Sequence, residues 1–338
     1  MEENIKDFID ILTLTQDSLN DYLLERISRS DKYNIEISKG GFLVTPKNCD
    51  MYPLICAHLD TINDSCSILA PTIDDLKFIG SDYIALKDTS QKACLGGDDR
   101  CGVYIALKLI ELGLPYSFGF FYDEEKGGVG SSLMSKSINK MDNITCYIGL
   151  DRRGFDQLAL YGYDNEKLIN IFERFGYFRD RGSFTDASNL SKNCLKGLAC
   201  VNLSVGYYNE HTKKEILNTT AMNHTLKVLK NLDISLFNKP FKAEFNKPLF
   251  RGTSYGLVGD MWESDHMLEN EIWEAGEVDD YNAMLENAYI DGYNYALELG
   301  YSEAIKEYRD MSCKGDDEYM AYFNGFGDAL DDMENFKE

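Results

Sequence analysis

The stretch CLGGDDRCG, residues 94–102, sets two adjacent carboxylates, Asp98 and Asp99, between a glycine pair and an apolar helical run. Like charges side by side repel. An acid at the start of a helix has a structural use as a cap, which accounts for one of the two. A cation would account for the other, and a cation needs further ligands elsewhere in the chain.

Working outward from this stretch, RCGVYIALKLIELG has the apolar spacing of a helix and meets a stop at Gly113. Upstream, residues 4–28 read as one amphipathic helix, followed by the strand-like runs YNIEIS, GFLVT and YPLICAHLD. Downstream, YSFGFFYDEE is an aromatic strand ending in acids, GVGSSLMSKSI a helix, ITCYIGLD a strand, NEKLINIFERFG a helix, GLACVNLSVG a strand and NTTAMNHTLKVLKNL a helix. Strands alternating with helices predict an α/β fold, with a mixed, mostly parallel sheet covered by helices on both faces. In such sheets ligands bind beyond the carboxyl ends of the strands. Several strand runs here end in polar residues: His58 and Asp60, Glu124 and Glu125, and Asp151.

The 338 residues suffice for one large domain and a smaller one. The net charge of −23 argues against nucleic acid and anionic membrane surfaces as partners. No apolar run is long enough to span a bilayer. The start, MEENIKDFID, is acidic and lacks the basic-then-apolar pattern of a signal peptide. Nine cysteines, none in a C-x-x-C pair, read as buried reduced thiols, so a cytoplasmic location is expected. Beyond the paired Asn-Lys-Pro turns of LFNKPFKAEFNKPLF the composition changes. Residues 236–338 carry 24 acidic against 8 basic residues, a net of −16. YIDGYNYAL (289–297) and YFNGFGDAL (322–330) both fit Y-x-x-G-[YF]-x-x-A-L, with aromatic, Ala and Leu positions on one helical stripe. A catalytic domain over 1–235 and an acidic, mainly helical C-terminal module over 236–338 are therefore expected.

Candidate partners for Asp98 lie at the strand ends. AHLDT places His58 and Asp60 two apart on a strand, hence on the same face, which suits an imidazole ligand backed by a carboxylate. YDEEKGGVG supplies Glu124 and Glu125, GLDRRG supplies Asp151, and SVGYYNEHTKKE supplies His211. The chain has only four histidines, and two of them, His58 and His211, fall in these contexts. Each element alone is weak: an H-x-D is usually incidental, an E-E pair before glycine a solvated loop, a D-R-R-G a turn. Their order and shared place in one sheet carry the argument.

The series HLDT, LGGDDRCG, DEEKGG, GLD and YNEHT resembles the co-catalytic di-zinc peptidase superfamily, which includes tripeptidase T and the leucyl and tetrahedral aminopeptidases. HLDT and LGGDDRCG are most similar to the tripeptidase T type, FTDASNL and YYNEHT to the tetrahedral aminopeptidase type. The resemblance covers roughly residues 50–232 and does not extend to 236–338. It implies two zinc ions bridged by Asp98, one completed by His58 and Asp151, the other by Glu125 and His211. It implies Glu124 as general base, Asp60 as support for His58, and a cis peptide bond between Asp98 and Asp99. Asp99 is left to cap the following helix or to hold groups behind the ligands. Mixed imidazole and carboxylate sites also accept Mn or Co.

Two features depart from that pattern. Only 34 residues separate Asp151 from Asp186, too few for the large lid domain that tripeptidase T-type enzymes insert there. Arg152 and Arg153 directly follow a ligand position, where they either grip a substrate carboxylate or form ordinary ion pairs. The expected function is a metal-dependent exopeptidase, an aminopeptidase or di/tripeptidase acting on small peptides. The alternatives are an N-acyl amino acid amidohydrolase using the same metal chemistry, and a binding protein on a catalytically dead peptidase fold. The oligomeric state stays open.

Overall fold

The computed structural model describes residues 2–244. In chain order the elements are α1 (Glu2–Leu12), α2 (Gln16–Ser28), β1 (Tyr33–Ser38), β2 (Gly41–Pro46), β3 (Tyr52–His58), α3 (Ile62–Ser65), β4 (Leu76–Ile79), β5 (Tyr83–Leu86) and α4 (Gly97–Glu111). They continue as β6 (Ser117–Phe121), α5 (Val129–Ile138), β7 (Ile144–Arg152), β8 (Gln157–Leu160), α6 (Glu166–Glu173), β9 (Phe178–Arg181), α7 (Asp186–Lys192), β10 (Cys200–Ser204), β11 (Tyr207–Tyr208), β12 (Ile216–Asn218) and α8 (Thr219–Asn231).

Eight strands form one mixed sheet in the order β1-β2-β6-β3-β7-β10-β8-β9. Its centre, β6-β3-β7-β10, is wholly parallel, as the alternating sequence pattern predicts. The side chains of β3 explain why that centre needs cover on both faces. Leu54 and Cys56 join Met134, Ile138 and Leu190 of α5 and α7 in one apolar layer. Ile55 and Ala57 join Phe8, Leu19, Ile105 and Leu229 of α1, α2, α4 and α8 in the other. Alternate residues of a strand point to opposite faces, so a continuous apolar run feeds two cores. Each fully buried side chain of Leu or Phe size contributes roughly 1.5–3 kcal/mol.

The parallel register sets the site. His58 pairs with Phe121, the last residue of β6, and Cys56 pairs with Gly149 of β7. His58 and Asp151 each lie two residues beyond that second pair, so neighbouring strands release their polar residues at one rim. Helix α4 packs under this rim with little clearance. A Cβ on Gly102 would sit 2.0 Å from the Leu150 carbonyl oxygen and 2.4 Å from Asp99 Oδ1. Gly102→Ala is accordingly expected to cost about 1–3 kcal/mol or more by overpacking. An unchanged urea midpoint for this variant would contradict the tight approach of α4 to β7.

Several sequence expectations are corrected. The single helix over 4–28 is two helices. The break falls at Thr13–Thr15, where the Thr13 hydroxyl donates to Ile9 O at 3.0 Å and Thr15 caps α2 through Ser18 N–H. The freed Leu14 carbonyl accepts from the buried Arg100 guanidinium at 2.9 Å. A second sheet, β11-β12-β5-β4, was not foreseen. Its strands run only two to four residues, too short to show a period of two. The residues between Asp151 and Asp186 form β8, α6 and β9, one strand more than expected, and hold no lid domain.

Residues 236–244, assigned from sequence to the C-terminal module, pack on the first unit. Phe237 is fully buried, Phe241 N–H donates to Thr145 O at 2.8 Å, and Ala199 N–H donates to Phe241 O at 2.8 Å. The two Y-x-x-G-[YF]-x-x-A-L copies lie outside the described residues. The eight described cysteines are all free, five of them buried. Among the described residues no helix is long and apolar enough to cross a membrane.

Candidate metal centre and active site

The glycine pair turns the chain into α4 at the parallel rim. Asp98 (φ −77°, ψ 100°) and Asp99 (φ −119°, ψ 40°) are not yet helical, and the peptide bond between them is cis. This geometry sends the two carboxylates different ways. Asp99 is fully buried; its Oδ1 accepts from Gly102 N–H at 3.0 Å and its Oδ2 from His58 N–H at 3.2 Å. It therefore caps α4 and also fixes the backbone of β3, both of the tasks considered from sequence. Asp98 instead faces the rim. Its Oδ1 lies 2.9 Å from His58 Nε2, and its Oδ2 lies 3.1 Å from His211 Nε2.

Each imidazole has a further acid of its own. His58 Nε2 is 3.6 Å from Asp151 Oδ1, and His211 Nε2 is 3.0 Å from Glu125 Oε1. The donor atoms of His58, Asp98 and Glu125 lie within 4.8 Å of one another, and so do those of His58, Asp99 and Asp151. Both Asp99 oxygens are committed to backbone amides, which leaves Asp151 as the acid available beside His58. Two imidazole nitrogens and three carboxylates, arranged about one shared carboxylate, suit a pair of divalent ions.

Behind this set, Asp60 serves both halves. Its Oδ1 lies 3.2 Å from His58 Nδ1 and accepts from Glu124 N–H at 2.9 Å, while its Oδ2 accepts from Glu125 N–H at 3.1 Å. One buried carboxylate thus orients an imidazole and the turn bearing both glutamates. Asn202 clamps Asp151 in the same manner, accepting from its N–H and donating to its carbonyl, each at 2.8 Å. Thr185 and Tyr207 hydroxyls donate to the two Asp151 oxygens at 2.7 and 3.1 Å. His211 has φ +63°, a left-handed conformation that costs a residue with a side chain about 1–2 kcal/mol. Strain of this kind is held where the surroundings over-determine it.

The electrostatics are those of an anionic pocket. Burial raises Glu124 far above an ordinary carboxyl pKa, and the Asp151, Asp186 and Asp98 charges add to it against the pull of His58. Burial and the Asp98 charge likewise raise Asp151. Burial opposes charge on His211, yet Asp98 and Glu125 outweigh it and hold its pKa at about 11. Burial is overcome at His58 too, where Asp151, Asp60 and Asp98 raise the imidazole well above its usual value. Without a metal, protons occupy the imidazole nitrogens that would otherwise be ligands.

All five proposed ligands, the proposed base and Asp60 are thus brought to one rim. Arg152 and Arg153 are also nearby, but each has an acid: Arg152 Nη2 pairs with Asp180, and Arg153 Nη1 pairs with Glu210 at 3.2 Å. A substrate carboxylate would have to compete with these acids. Sequence reading missed Asn202, Thr185, Tyr207 and Arg100. Arg100 stands in the opening stretch, fully buried, with its Nη1 donating to Leu59 O at 2.6 Å. A charged residue within an apolar helix start was the one signal available for it.

No family model matches the chain, and no curated protein matches it. Solved structures do. Aminopeptidase PepT from Bacillus cereus superposes with a TM-score of 0.52 at 14% identity, covering 70% of this chain and 97% of that one. The fold is that of the tripeptidase-like aminopeptidases. A tripeptidase from Staphylococcus aureus gives a TM-score of 0.54 at 12% identity over 70% of this chain and 99% of the other. An aminopeptidase from the archaeon Desulfurococcus kamchatkensis gives 0.50 at 14% identity over 68% and 94%. At such identities the likeness to tripeptidase-like aminopeptidases speaks for the fold, and the chemistry has to be argued from the site.

Proposed function

We propose that this chain is a metal-dependent exopeptidase, an aminopeptidase or di/tripeptidase, that holds two divalent ions and hydrolyses short peptides. The carrying observation is the bidirectional Asp98 carboxylate, with one oxygen toward His58 and the other toward His211. His58, Asp151 and Asp98 would hold one ion, and Glu125, His211 and Asp98 the other, with zinc the first choice and manganese or cobalt also compatible. When bound, such ions polarise a carbonyl and lower the pKa of a water from about 15.7 toward about 7.

The protein's own part follows from the geometry. Asp60 holds His58 in the tautomer that leaves Nε2 free for ligation. It also fixes the Glu124–Glu125 turn, so that one carboxylate ligates while its neighbour stays available. Glu124 takes the proton of the attacking water and returns it to the leaving amine. Its raised pKa comes from burial first and from the surrounding acids second, and bound cations would offset both and favour the ionised base.

Elemental analysis tests the reading. Metal-replete protein is expected to carry two divalent ions per chain and to release amino acids from short peptides, and His58→Ala is expected to lose metal. Trace metal at most in the native protein, unchanged by His58→Ala, would remove the basis of the proposal. Deacylation of N-acyl amino acids without peptide cleavage would favour the amidohydrolase alternative. Bound metal without either reaction would favour the binding protein.

A further inference from the structure

Glu215 is a fully buried carboxylate with no place in the ligand set or the proton path. It lies four residues after His211, at the end of the loop between β11 and β12. Its side chain turns back into the protein to meet the opening glycine stretch. Oε2 accepts from Gly96 N–H at 2.7 Å, and Oε1 accepts from Asp98 N–H at 3.1 Å. The contact is close enough to exclude a side chain at residue 97. A Cβ there would lie 2.0 Å from Leu217 Cδ2, 2.9 Å from Glu215 Oε1 and 3.0 Å from Tyr207 Cβ. Glycine at 97 is therefore favoured by the hairpin that carries His211, whereas the turn into α4 falls to Gly96 at φ +89°.

We propose that Glu215 is a positioning residue that couples the two halves of the metal centre. It holds the amide of Asp98 from the same short loop that delivers His211. Fixing that amide fixes where the bridging carboxylate aims, and the covalent path of four residues ties this aim to the second imidazole. The His211 backbone at φ +63° is one end of this path and the buried Glu215 clasp is the other. Through Asp98, whose Oδ1 meets His58, the clasp also reaches the far half of the centre. Releasing the clasp therefore disturbs both ions, although Glu215 ligates neither.

This inference rests on the reading of the rim as a metal centre, and the test separates the two. Glu215→Gln is close to isosteric, but its amide nitrogen presents a donor to a backbone donor, so one of the two bonds is lost. Zn²⁺ affinity is read by competition with a chromophoric chelator, and ligand geometry by the visible absorption bands of the Co²⁺-loaded protein. Hydrogen exchange over residues 94–102 reads the clasp in metal-free protein. Glu215→Gln is expected to weaken the binding of both ions by about 10–100-fold, to shift the cobalt bands, and to speed exchange of the 96–98 amides. Glu215→Asp keeps the charge but falls short by one methylene, and it serves the same test if the Gln variant does not fold.

Tyr116→Phe is the control. It removes a buried hydrogen bond, from the Tyr116 hydroxyl to Leu229 O at 2.7 Å, at the amino end of β6 and so opposite the metal rim. It is expected to lower thermal stability while leaving Zn²⁺ affinity and the cobalt bands unchanged. If native protein loads two ions and Glu215→Gln loads them as tightly with unchanged bands, the role given to Glu215 is wrong while the metal centre stands. If native protein takes up no ion, the metal centre fails and the coupling fails with it.

Discussion

Glu124→Gln is expected to keep two ions per chain and to lower peptide turnover by about 10²–10⁴-fold, the usual contribution of a positioned general base. The substitution removes one thing. A glutamine side chain has nearly the shape of glutamate but cannot accept the proton of the attacking water. The backbone contacts that hold the turn are untouched, because Asp60 accepts from the N–H groups of residues 124 and 125 rather than from their side chains. Glu125 therefore stays on its ligand path toward His211. The comparison with Glu125→Gln sharpens the test: that variant should lose metal affinity first and activity as a consequence. Metal content by elemental analysis and kcat on a tripeptide, measured on both variants, separate the roles. Activity of Glu124→Gln within a few-fold of native would mean that the acids of the pair are assigned in the wrong order.

What the sequence made legible was local and chemical. The cluster of His58, Asp98, Glu125, Asp151 and His211 could be read because its members lie at or just beyond strand ends or open a helix, so short polar interruptions of apolar runs marked it. The parallel centre of the sheet could be read because β3, β6, β7 and β10 are continuous apolar runs separated by helices. The helix break at Thr13–Thr15 was not legible, since the periodicity of residues 4–28 survives it. Thr13 and Thr15 make that break locally, and the Leu14 carbonyl it frees is taken up by Arg100, a contact across 86 positions. Asn202, Thr185 and Tyr207 were also illegible. Each acts on Asp151 from 34 to 56 residues away, a pairing that its own neighbourhood does not show. Asp99 was half legible: its cap on Gly102 N–H is local, whereas its bond to His58 N–H spans the fold.

Metal affinity is expected to climb steeply with pH, and the stability of the metal-free protein to fall over the same range. Both follow from where the protons sit. In metal-free protein His211 has a pKa of about 11, and His58 is also raised well above its ordinary value of 6.5. His211 is therefore protonated from pH 6 to 9 and His58 holds its proton beyond its ordinary range, and ligation must displace both protons. The two imidazole protons alone correspond to a joint binding constant rising roughly 100-fold per pH unit where both are held. The sign for stability is the opposite one. A histidine whose folded pKa exceeds its unfolded pKa stabilises fully below about pH 6.5, and that contribution drains as pH rises toward the folded value. The buried acids act in the same direction. Burial raises Glu124 and Asp151 above their ordinary values, so the folded protein retains protons that the unfolded chain has released. Ionising them inside the pocket costs stability as pH climbs past 4.5. Thermal unfolding of dialysed metal-free protein should thus show its highest midpoint near pH 5 and a steady decline to pH 9, while the gain on adding Zn²⁺ widens. Calorimetric titration of the ion in buffers of different ionisation enthalpy counts the released protons directly. A proton count near zero, with parallel midpoint curves for metal-free and metal-loaded protein, would show that the imidazoles and carboxylates at this rim do not share their protons with a metal.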